Sequence, residues 1–108
     1  MKAEKMSSDR AYGYFRNNSG AVGKAFHNMY DITVEESVLD VKTHELVYIA
    51  YLAACKEYTG LSLHVKGLKK LGASRKEVES VILCGLAPVG MSLCYAYQAA
   101  MEAYDEES

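Results

Sequence analysis

The stretch "VILCGLAPVGMSLCYAYQAAM", Val81 to Met101, constrains the fold of this chain more than any other. Only Ser92 and Gln98 in it are clearly polar, and as one unbroken helix it would be long enough to span a bilayer. Gly85, Pro88 and Gly90 interrupt it near the middle. Proline drives the residue before it out of the helical region. Each half is then too short to cross a membrane, so the run reads as two helices meeting at a bend, both buried in protein. A single domain of 108 residues buries only a modest core. Part of this apolar surface is therefore expected to be covered by a second copy of the chain.

The rest of the sequence is helical in period. "SGAVGKAFHNMYDITVEE" places Ser19 as a cap and repeats Val22, Phe26 and Met29 on one helix face. "LDVKTHELVYIAYLAACKEY" follows Asp40, an N-cap candidate, with a long apolar run free of glycine and proline. It predicts a well-buried helix of four to five turns. Gly60 is expected to separate it from "LSLHVKGLKKLG", where Leu61, His64, Leu68 and Leu71 share a face and Gly72 suits the left-handed position after a helix end. Ser74 and Glu77 have capping-box spacing ahead of "VESVILCGL". A last helix is expected from about Pro88 to Tyr104. No convincing period-2 alternation occurs. The expectation is one all-α domain over residues 1–108, a bundle of about five to six helices, with an irregular N-terminal arm (1–18) and an acidic tail (105–108).

Half of the residues are hydrophobic and 24% are charged, as in a globular chain. A net charge of -2 gives no footprint for nucleic acid. The local cations Lys66, Lys69, Lys70, Arg75 and Lys76 have no interleaved aromatic residues and read as a solvated face. Cys55, Cys84 and Cys94 are an odd set, and "MKAEKMSSDR" has no apolar core of a signal peptide. Both features suggest a cytoplasmic protein with reduced thiols, its cysteines acting as small core hydrophobes.

Two residues stand out as carriers of chemistry. His64 sits on the apolar face of its segment, where a lone histidine is more often a satisfied core residue than a catalyst. Glu45 alters that weighing. Ile49 and Leu52 lie four and seven residues after it on the long apolar helix. A carboxylate facing that way is costly to desolvate unless paired. An imidazole is its natural partner, and such a pair performs general acid–base work near neutral pH. The alternative for Glu45 is a first-turn glutamate facing water. His27 and His44 show no metal-ligand spacing, and neither a metal nor another cofactor is expected. Tyr48, Tyr51, Tyr58, Tyr95 and Tyr97 are candidates to place a hydroxyl in a pocket.

Residues 20 to 100 resemble the carboxymuconolactone decarboxylase family, which includes alkyl hydroperoxidase D. The likeness rests on L-D-x-K-T-x-E-L from Leu39, then an apolar helix, then H-x-x-x-L-x-x-x-G-A from His64, then a capped helix. The resemblance implies an all-α fold, ring-like homo-oligomers such as trimers or hexamers, and a site built on Glu45 and His64. The hydroperoxidase branch carries C-x-x-C-x-x-x-H, and its two cysteine positions are Glu57 and Gly60 here. A dithiol cycle needs a reactive thiolate and a resolving thiol within reach. The decarboxylase branch lacks those cysteines and acts on small cyclic carboxylates, although no arginine in the central helices is obviously aimed at one. The leading expectation is acid–base chemistry on a small organic acid. The alternatives are an antioxidant protein with rearranged thiols and a non-catalytic oligomeric binding protein.

Overall fold

The computed structural model describes residues 8–107, with side chains from residue 10, and every regular element among them is helical. There are seven: α1 (Ser8–Asn18), α2 (Ala21–Glu35), α3 (Val41–Ala54), α4 (Tyr58–Lys70), α5 (Arg75–Cys84), α6 (Leu86–Val89) and α7 (Leu93–Asp105). The all-α expectation holds. The chain forms two compact units, one up to Asp40 and one from Val41.

The first unit is a helix pair. The expected irregular arm is helical from Ser8; residues 1–7 lie outside the described residues. Aromatic packing explains the difference. Phe15 of α1 meets Phe26 of α2 edge to face at 5.7 Å, with Tyr12 6.0 Å from Phe26. The Tyr12 hydroxyl also reaches His27 Nδ1 at 3.0 Å. Ser19 does not cap α2: its hydroxyl donates back to the Phe15 carbonyl, and Gly20 occupies the cap position.

The second unit holds the core. Ile49 and Ala53 of α3, Leu61, Val65 and Leu68 of α4, Val78 and Ile82 of α5, and Leu93, Ala96, Ala100 and Met101 of α7 are all buried. Helix α4 packs chiefly on α7 and α3, and α5 on α7 and α3. Burying side chains such as Leu61 and Leu68 contributes about 1.5–3 kcal/mol each. The alanines of α7 let its backbone approach its neighbours closely.

The connections differ from expectation in instructive ways. Gly60 does not separate α3 from α4; it is buried inside α4. Helix α3 instead ends in a Schellman turn, with Glu57 N–H on the Leu52 carbonyl (2.9 Å) and Lys56 N–H on Ala53 (3.3 Å). The left-handed residue of that turn is Lys56, at φ 65°. The same motif closes α4, where Ala73 N–H bonds Leu68 and the left-handed residue is the expected Gly72, at φ 92°. The Ser74–Glu77 capping box forms with both its bonds, at 3.0 and 2.8 Å. Pro88 does not open the last helix: it lies in the short α6, the chain turns at Gly90, and α7 starts at Leu93 and ends within the expected tail.

The apolar residues are less completely covered than the sequence suggests. Only Ile49 and Ala53 of α3 are buried, while Val47 and Tyr51 are exposed. All three cysteines are exposed, not packed as core hydrophobes. An apolar depression of about 290 Å³ is lined by Tyr51, Ala54, Ile82, Cys84, Pro88 and Leu93 among others, and another of about 190 Å³ by Leu86, Met91, Cys94 and Tyr97 among others. Neither lining contains a charged residue. No helix among the described residues is long and apolar enough to cross a membrane.

Candidate active site

The α3–α4 hairpin builds the site. Because only Cys55–Glu57 separate the two helices, α4 folds back along α3. Glu45 stands one turn above the fully buried Ile49 on α3, so its side chain faces α4. His64 lies beside the buried Val65, and its own side chain keeps 29% of its exposure. It therefore sits at the edge of the buried face; Leu71, expected on that face, is exposed.

The two side chains meet. His64 Nδ1 lies 3.2 Å from Glu45 Oε1. The second carboxylate oxygen, Oε2, is buried and has no hydrogen-bond partner among the described residues. A buried acceptor left unpaired costs about 1–3 kcal/mol. Where the carboxylate is ionised its oxygens only accept, so the proton of this contact sits on Nδ1.

Tyr48 contributes in a way the sequence did not reveal. Its ring stacks on the imidazole of His64, with centroids 4.3 Å apart and planes inclined by 21°. Its contact with His64 is made by the ring face. The available signal was spacing: Tyr48 is three residues after Glu45, next to it on the helix surface.

A second set of charges braces the scaffold. Lys42, one turn before Glu45, pairs with Glu77 at 3.0 Å and ties the start of α3 to the start of α5. Glu77 is held below the usual carboxylate range first by the Ser74 N–H and then by Lys42. Arg75 forks onto Asp105 at 2.8 and 2.9 Å, which lowers the Asp105 pKa and raises that of the guanidinium. Tyr97 donates to Glu79 at 2.6 Å, lowering the carboxyl pKa and raising that of the phenol. In the basic cluster, Lys66 pairs with Glu106, Lys76 with Glu79, and Lys69 bonds the Tyr104 carbonyl.

Cys55 sits in the turn after α3, with its thiol on the Leu52 carbonyl, while Cys84 and Cys94 line the apolar depressions. Among the described residues no group of three or more His, Cys, Asp and Glu side chains is arranged to hold a metal ion.

The model of the carboxymuconolactone decarboxylase family matches residues 20–104. No curated protein and no solved structure gives a significant match.

Proposed function

Because the chain belongs to the carboxymuconolactone decarboxylase family, we propose that Glu45 and His64 are an acid–base pair acting on a small organic acid. The observation that carries this reading is the 3.2 Å contact in which one carboxylate oxygen meets the imidazole and the other is buried with no partner among the described residues. Glu45 orients the ring and balances its charge. His64 Nε2 takes up and returns the proton.

In a decarboxylation the carbon–carbon bond to the substrate carboxylate breaks and carbon dioxide leaves. The electron pair stays on the remaining carbon, delocalised into a neighbouring carbonyl. Protonated His64 supplies the proton that carbon needs, and the imidazole regains one from water. Such a substrate carries a carbonyl β to its carboxylate.

Thiol peroxidase chemistry has weaker support. Glu57 and Gly60 occupy the positions of the paired cysteines, Glu57 ahead of α4 and Gly60 buried in its first turn. The proposal includes assembly of the chain into a homo-oligomer. Its support is the set of exposed apolar residues beside uncharged depressions, Tyr51, Leu86, Val89 and Met91 among them.

The test is a screen of small β-keto and lactone carboxylic acids for carbon dioxide release. His64→Ala should lower turnover by roughly 10²–10⁴-fold while the helical signal is kept. Equal turnover by wild type and His64→Ala would contradict the proposal.

A further inference from the structure

An imidazole held by a single in-plane hydrogen bond still tilts about that bond, and it turns over about its own Cβ–Cγ axis. The tilt redirects Nε2, and the turn removes Nδ1 from Glu45 as well. Tyr48 lies flat against His64, 4.3 Å away and nearly parallel, so both motions run into its ring. Glu45 and Tyr48 are neighbours on one face of α3, three residues apart. One rigid helix therefore supplies a constraint in the plane of the imidazole and another across its face.

We propose that Tyr48 is the positioning residue of the pair: its ring face fixes the His64 imidazole with Nδ1 on Glu45, leaving Nε2 as the proton-exchanging atom. The effect comes from the ring and not from the phenol oxygen. Its relevance to catalysis rests on the acid–base reading above, whereas its structural content is tested separately.

The experiment records the imidazole nitrogen–proton correlations of His64 by NMR in the wild type, Tyr48→Phe and Tyr48→Leu, at alkaline pH where imidazoles are neutral. A free imidazole favours the proton on Nε2. The wild type and Tyr48→Phe should show one tautomer, with the proton on Nδ1. Tyr48→Leu should show exchange with a substantial Nε2–H population. Should Tyr48→Leu lose its fold by circular dichroism, Tyr48→Met takes its place with a longer, more adaptable side chain. An unchanged Nδ1–H tautomer in the aliphatic variant overturns the proposal. So does loss of that tautomer in Tyr48→Phe, which would assign the effect to the hydroxyl. In the decarboxylation assay, the aliphatic variant should lower kcat about 10–100-fold with KM little changed. The spectra remain decisive if no acid is turned over, so failure of the functional reading and failure of this one are distinguishable.

Discussion

Glu45 and His64 lie 19 residues apart in the sequence, and their side chains meet at 3.2 Å between consecutive helices. That contact depends on where α3 stops. Its Schellman turn at Cys55–Glu57 sets how far α4 returns along α3, and hence which residue of α4 faces Glu45.

Lys56 occupies the left-handed position of that turn, which costs a non-glycine residue about 1–2 kcal/mol. Glycine avoids this cost but loses about 0.5–1 kcal/mol more chain entropy on folding. Lys56→Gly is expected to stabilise the protein by about 0.5–1 kcal/mol, raising Tm by about 2–8 °C. An unchanged or lower Tm in calorimetry would show that the turn carries no such strain.

This turn also shows what the sequence conceals. Gly72 and the Ser74–Glu77 box were legible because their residue types are tied to one local geometry. Lys56 has no such tie, so the helix boundary fell wrongly on Gly60. Helix α1 was hidden because its stability comes from the ring contacts of Tyr12 and Phe15 with Phe26, distant in sequence. The Glu45–His64 pair was legible because a carboxylate and an imidazole on apolar faces need each other. The stacking of Tyr48 was not, because a tyrosine at that spacing fits ordinary core packing equally well.

Acid should weaken the protein through its braces. Asp105 is held below the ordinary carboxylate value by Arg75, Glu77 by the Ser74 N–H and Lys42, and Glu79 by Tyr97. The folded chain therefore binds fewer protons than the unfolded one. The stability these groups contribute is present above the unfolded carboxylate pKa, about 4, and is lost as pH falls through the lower folded values. Asp105→Asn should melt below wild type at neutral pH, and the gap should close on acidification. A gap undiminished at about pH 2 would contradict this.

Assembly is tested by mass. Light scattering at micromolar concentration should give a multiple of the 11.9 kDa chain, and Met91→Glu should reduce it by placing a charge beside an uncharged depression. A wild-type mass equal to one chain would refute the oligomer.

No dithiol peroxidase cycle is expected. The wild type and a variant with Cys55, Cys84 and Cys94 all changed to serine should consume peroxide equally slowly in the presence of a thiol reductant. Rapid wild-type consumption that disappears on removing any one thiol would restore the antioxidant reading.

The central claim is that Glu45 and His64 act as a unit, and a double-mutant cycle in turnover tests it most directly. His64→Ala, Glu45→Gln and the double variant are compared on the best acid from the screen, with light scattering confirming the assembly of each. Partners in one proton-transfer step are strongly non-additive. The double variant should therefore be about as slow as the slower single variant. Losses that multiply across the two substitutions would mean that the residues act independently, and the acid–base pair would be abandoned.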